Sequence, residues 1–123
     1  MNSAYLVLLC IVALVNSSLQ LLLKKAAPAA SAILAGNGNI AFKIYKLFTY
    51  PYILLAILAL AGGMALWFKV LAKNELSLSY PLNVALTIII TSLASIALFQ
   101  EALTINKAIG IIVIIAGIFI VLK

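Results

Sequence analysis

The side chains able to do chemistry in this sequence fall into two runs with a four-residue repeat. Asn16, Gln20 and Lys24 follow one another at i, i+4, with Ser17 beside the first; Asn83, Thr87, Thr91 and Ser95 repeat the pattern, preceded by Tyr80 one turn back. At about 100° per residue each run makes one slowly drifting stripe on a helix. Amides and a phenol carry both donors and acceptors, so Asn16, Gln20, Tyr80 and Asn83 lining a shared cleft would suit a polar ligand. The alternative is that the stripes only join helix to helix, with Ser and Thr hydroxyls returning to their own backbone carbonyls. Lys24 and Glu101 both fall at the end of an odd-numbered apolar segment, which brings them to the same membrane face. There they form either a structural ion pair or a station where Lys24 receives an anionic group and Glu101 sets the position of the lysine or of a neighbouring hydroxyl.

The rest of the composition removes other chemistries. His, Asp and Arg are absent and only two Glu occur, Glu75 and Glu101, so metal-ligand and acid/base constellations have almost no material. No metal, no cofactor and no enzymatic reaction is expected. Cys10 is a lone cysteine within an apolar stretch, which excludes an intrachain disulfide and suits a small packing residue. Nor is there a basic patch outside the apolar segments for a nucleic acid.

The elements that must position these residues are membrane helices. Of 123 residues, 67% are hydrophobic and 8% charged, against roughly half and about a quarter in a soluble domain. Apolar stretches over 5–23, 52–71, 78–99 and 108–122 each approach the ~20 residues needed to cross ~30 Å of hydrocarbon. The expected fold is therefore an all-α membrane protein, a four-transmembrane-helix bundle in a single domain covering 1–123. The first stretch lacks a basic n-region and an A-x-A cleavage site and is read as a retained span. Residues 39–50, with Ile40, Ile44, Leu47 and Phe48 at helical spacing against Lys43 and Lys46, predict either a short interfacial helix or an aromatic-anchored loop.

The net charge of +6 arises from lysines alone, mostly at span ends, where they snorkel to the headgroups. Lys24, Lys25, Lys43, Lys46 and Lys107 lie on one face and Lys69, Lys73 and Lys123 on the other, a bias too small to fix orientation. Small residues mark close helix approach: Ala59, Gly62 and Gly63 in the second span, and Gly110, Ala116 and Gly117 in the fourth. Gly110 and Gly117 are seven apart and share a face, which fits packing against a second protomer or within one.

Several of these segments together resemble the small multidrug resistance-like branch of the drug/metabolite transporter superfamily. They are Ser18 to Lys24 (SLQLLLK), Leu66-Trp67, Ser79 to Leu82 (SYPL), Gln100 to Thr104 (QEALT) and Gly110 to Ile118 (GIIVIIAGI). Within it the chain looks most similar to the small flippase subunits for undecaprenyl-phosphate-linked aminoarabinose. Their first helix ends in a Q-L-x-x-K-like motif, their third opens A-Y-P-like, and an H-E-P-like turn follows; Gln20, Lys24, Tyr80, Pro81 and Glu101 stand at those positions. The resemblance implies a bacterial inner-membrane transporter with a polyprenyl-phosphate glycolipid as substrate. It also implies a homodimer, or a heterodimer with a similar subunit, through the fourth helix. Multidrug members carry a mid-membrane carboxylate in the first helix, where this chain has Asn16. An amide does not titrate, so proton-coupled export of cations loses the group it needs. A small-cation or multidrug exporter and a non-transporting membrane subunit remain the alternatives to a glycolipid flippase.

Overall fold

The computed structural model describes residues 3–123 and is helical almost throughout. Five helices follow in order: α1 Ser3–Ala35, α2 Ile40–Thr49, α3 Pro51–Leu71, α4 Leu76–Phe99 and α5 Ile105–Val121. Three of them, α1, α3 and α4, are long and apolar enough to cross a membrane, which makes this a multi-pass membrane protein. The 17-residue α5 is equally apolar but shorter.

α1 is 33 residues long and passes well beyond the first apolar stretch, which ends at Leu23. At 1.5 Å per residue it spans about 50 Å, well over the ~30 Å of hydrocarbon. Its extra turns, Lys24 to Ala35, are alanine-rich, and alanine has the highest helix propensity, so the helix continues past the lysines despite Pro28. Lys43 of α2 reaches back and donates to the Leu34 carbonyl at 2.8 Å, placing a cation on orphan acceptors at the negative end of the α1 dipole. The segment expected as an interfacial helix or loop is thus a helix. α2 leaves Ile40, Phe42, Ile44, Tyr45 and Phe48 exposed, and the Lys46 ammonium lies over the Phe42 ring at 5.0 Å. α3 begins with Pro51 in its first turn, where a missing N–H costs nothing.

The short connections between spans predict antiparallel neighbours, yet α3 and α4 scarcely touch; α1 packs against both and mediates between them. Gly63 explains how α1 comes so close to α3. A Cβ built there would sit 3.3 Å from Val15 Cγ1 and 3.4 Å from Asn16 Oδ1. The buried core, Tyr5, Leu9, Val12, Val70 and Leu82, joins the N-terminal half of α1, the end of α3 and the start of α4. A hydrogen bond between the Tyr5 and Ser79 hydroxyls, 3.0 Å apart, rivets the same end. Cys10 is exposed on the outside of α1 and does not fill a packing space.

α4 ends at Gln100, among the described residues the one non-glycine in left-handed backbone, at φ 53° and ψ 36°. Thr104 then starts α5, its hydroxyl accepting from the Lys107 amide. α5 leans on α4 and on no other helix.

Substituting Gly63 and Gly62 separately by Val imposes the same change in helix propensity at two adjacent positions, only one of which is crowded. Gly63→Val is expected to lower stability by about 1–3 kcal/mol through overpacking, and Gly62→Val by much less. Unfolding in detergent micelles measures the difference.

Candidate polar groove and lysine station

Local hydrogen bonding decides which polar side chains remain available to a ligand. The Ser17 hydroxyl donates to the Ala13 carbonyl at 2.8 Å, Ser18 to Leu14 at 2.9 Å, Thr87 to Asn83 at 2.7 Å and Ser95 to Ser92 at 3.0 Å. Ser17 also lies 3.3 Å from the Thr87 carbonyl, tying α1 to α4. Ser18, Thr87 and Ser95 thus spend their protons on their own helices, and Ser17 alone also joins two. An amide is less easily satisfied in this way.

Asn16, Tyr80 and Asn83 come together in one groove of about 220 Å³, with Leu60, Gly63, Met64 and Trp67 of α3 as the remaining wall. Asn83 is 7% exposed, and its Oδ1 is buried without a hydrogen-bond partner. Leaving an acceptor unpaired costs about 1–3 kcal/mol. Thr91 Oγ1 shares that condition deeper along α4. Tyr80 is 58% exposed, so its phenol stands at the mouth of the groove and Asn83 at its floor. No carboxylate lines this groove.

Gln20 does not join them. It is exposed on α1 and absent from the groove wall. The i, i+4 spacing itself is the cause: each step of four residues turns the helix by about 400°, so the stripe drifts by about 40° per step. Gln20 is rotated off the face that carries Asn16, and Lys24 further still.

Lys24 and Glu101 meet in an ion pair, and the Lys24 ammonium also lies over the Phe99 ring at 4.7 Å. Both side chains keep substantial exposure, 45% and 33%, so the pair contributes little to stability. Eight residues separate Lys24 from Asn16, about 12 Å along α1, so the six expected site residues divide into a groove, an exposed Gln20 and an ion pair at the helix ends.

The glycines of α5 are open. A Cβ at Gly110 or Gly117 would meet nothing within 4 Å. Gly110 borders a groove with Ser92, Ser95 and Glu101, and Gly117 another with Pro81, Leu82 and Ala85, both between α4 and α5. Neither glycine serves close approach inside the chain.

On α3 the sequence marks Gly63 for close approach and Trp67 within a motif, but does not mark them with Leu60 and Met64 as the wall of a groove. Leu60, Gly63, Met64 and Trp67 recur at i, i+3, i+4 and i+7, a face that their apolar character left indistinguishable from lipid-facing surface. The pairing of Tyr5 with Ser79 is equally illegible in the sequence, since only the fold brings together residues 74 apart.

Among curated proteins the chain is similar to three named as probable 4-amino-4-deoxy-L-arabinose-phosphoundecaprenol flippase subunit ArnE. That of Serratia proteamaculans (strain 568) is 38% identical over 72 residues, covering 58% of this chain and 62% of the relative. That of Hamiltonella defensa subsp. Acyrthosiphon pisum (strain 5AT) is 35% identical over 66 residues, covering 54% and 59%. The Pseudomonas fluorescens (strain Pf0-1) protein is 29% identical over 68 residues, covering 55% and 59%. The match thus spans about three-fifths of the length of these relatives, and it supports the resemblance drawn from the motifs. No protein-family model matches the chain. No solved structure matches it.

Replacing Asn83 by Leu removes the unpaired acceptor at similar volume. Stability in micelles is expected to stay unchanged or rise by up to about 1 kcal/mol; a clear loss would mean that the amide supports the fold instead of a ligand.

Proposed function

We propose that the protein is a subunit of a bacterial inner-membrane flippase for a polyprenyl (undecaprenyl)-phosphate-linked sugar, with α5 as a fourth span. The observation that carries this reading is the groove of Asn16, Tyr80 and Asn83, rich in hydrogen-bonding groups and free of any acid. A sugar presents hydroxyls that donate to Asn83 Oδ1 and accept from amide N–H groups, and its transfer needs no titrating residue. The names of the three relatives point to the same substrate class.

The polyprenyl chain stays in hydrocarbon throughout, so the protein has only to lower the cost of bringing the polar head across. Lys24 meets the phosphate at the membrane face, exchanging its Glu101 partner for the lipid's charge, and Glu101 holds the ammonium in place until then. The groove then exchanges hydrogen bonds with the sugar about 12 Å further along α1. No covalent step and no cofactor enters.

A second protomer completes the passage, as a homodimer or as a heterodimer with a similar small subunit. The groove is a local concavity of about 220 Å³ between α1, α3 and α4, and exposed Gln20 would supply its amide to the space between two subunits. Gly110 and Gly117, with open space above each, suit a partner helix lying against α5. The drug-export alternative is disfavoured by Asn16 in the groove and by the location of both glutamates outside the helices, Glu75 before α4 and Glu101 after it.

Lys24→Gln is expected to slow glycolipid translocation in proteoliposomes at least tenfold, the loss of one charge-assisted contact, while membrane insertion and yield remain normal. Unchanged translocation would remove Lys24 from the phosphate's path.

A further inference from the structure

Next to Lys24 stands a second lysine with a different environment. Lys25 has no carboxylate partner among the described residues, since Glu101 is taken by Lys24 and Glu75 lies at the start of α4, the opposite end of that helix. Its ammonium lies over the Tyr52 ring, 5.1 Å from the centroid. Lys25 also lines a furrow of about 530 Å³, whose other walls are Ser18, Leu21 and Leu22 of α1, Tyr52 of α3, and Leu98 and Phe99 of α4. Residues 18, 21, 22 and 25 recur at i, i+3, i+4 and i+7, so α1 presents them as one face, rotated from the face of Asn16.

The chemistry of the furrow specifies its occupant. Ser18 spends its proton on the Leu14 carbonyl, which leaves the Lys25 ammonium as the only charged group of the lining, with the Tyr52 hydroxyl as a further donor. A neutral chain would fill the apolar walls and leave the cation without a counter-charge. A small free anion would pair with the cation and leave the leucine and aromatic walls uncovered. A single-chain lipid ending in a phosphate satisfies both at once: one furrow for one chain, and one ammonium for one phosphate.

We infer that this furrow, between α1, Tyr52 of α3 and the end of α4, is a seat for the polyprenyl-phosphate end of the substrate, with Lys25 holding the phosphate and Leu21, Leu22, Leu98 and Phe99 packing the first isoprene units. The inference rests on the glycolipid reading above and deepens it by separating two roles. Lys25 docks the lipid from the side, and Lys24, whose Phe99 contact is shared with the furrow wall, takes over the phosphate when Glu101 releases it. Lys25 is therefore a binding residue that the spacing of the polar stripe does not include.

Native mass spectrometry of the purified full-length protein in detergent tests this, with undecaprenyl phosphate as the probe and undecaprenol and phosphatidylglycerol as comparisons at equal concentration. The wild type is expected to retain undecaprenyl phosphate at least tenfold better than either comparison. Lys25→Gln should reduce that retention about tenfold and Lys25→Arg should restore most of it. Leu22→Trp, which fills the furrow without touching the charge, should reduce it as well. Lys25 is exposed, so its substitution leaves folding intact and carries the test even if Leu22→Trp unfolds. Retention by Lys25→Gln equal to the wild type, or equal retention of phosphatidylglycerol, overturns the seat. Translocation assays keep the two proposals apart. Lipid retention that depends on Lys25, in a protein whose removal from its native membrane leaves glycolipid translocation unchanged, would sink the flippase reading and leave the seat. Translocation by a wild type whose Lys25→Gln form binds unchanged would do the reverse.

Discussion

A polar side chain in hydrocarbon has no water to turn to, and the organisation of this protein follows from which of its polar groups find partners inside it. Hydroxyls solve the problem locally. Ser17, Ser18, Thr87 and Ser95 each donate to a carbonyl three or four residues back, and each thereby becomes nearly inert toward a ligand. The Asn83 oxygen accepts from nothing among the described residues, although only 7% of the residue is exposed. Thr91 Oγ1 shares that condition, so amide and hydroxyl alike are left unpaired along this side of α4.

The bundle is also unequal along its length. Its buried apolar cluster and the Tyr5–Ser79 hydrogen bond occupy the end formed by the start of α1, the end of α3 and the start of α4. At the other end, around Lys24, Lys25, Tyr52 and Phe99, the helices separate into a furrow, and the contacts there are an exposed ion pair and rings beneath ammonium groups. Lipids supply no hydrophobic drive between helices, so tight steric packing is what closes the first end. Exposed charge contacts at the second can be exchanged for a ligand's charges at little cost.

Much of the architecture was readable from hydropathy alone. α3 and α4 fall within two residues of the apolar stretches that announced them, α1 begins within two residues of its own, and the segment from Ile40 to Thr49 took the helical form its spacing allowed. Two things escaped. The extension of α1 to Ala35 did so because a propensity-driven alanine run carries no hydropathy signal. The separation of α3 from α4 did so because a short loop constrains order and direction, whereas the contact between neighbours depends on a third helix and on Gly63 letting it in. Of the six polar residues singled out by type and spacing, Asn16, Tyr80 and Asn83 converge and Lys24 meets Glu101. Gln20 stands apart because a four-residue repeat overshoots a helical turn and leaves the groove face within one step.

That drift also explains why α1 carries two lysines in succession. Adjacent residues on a helix point about 100° apart, so Lys24 and Lys25 address different neighbours although their backbones touch. One is drawn to the only acid at that end of α4; the other lies over Tyr52 at the edge of an apolar furrow. A lone lysine would have to choose between neutralisation by Glu101 and attraction of an incoming anion. With two, the local charge can be compensated in part and still leave one cation exposed to the lipid. The carboxylate can thus neutralise Lys24 without abolishing the positive charge at this end of the bundle.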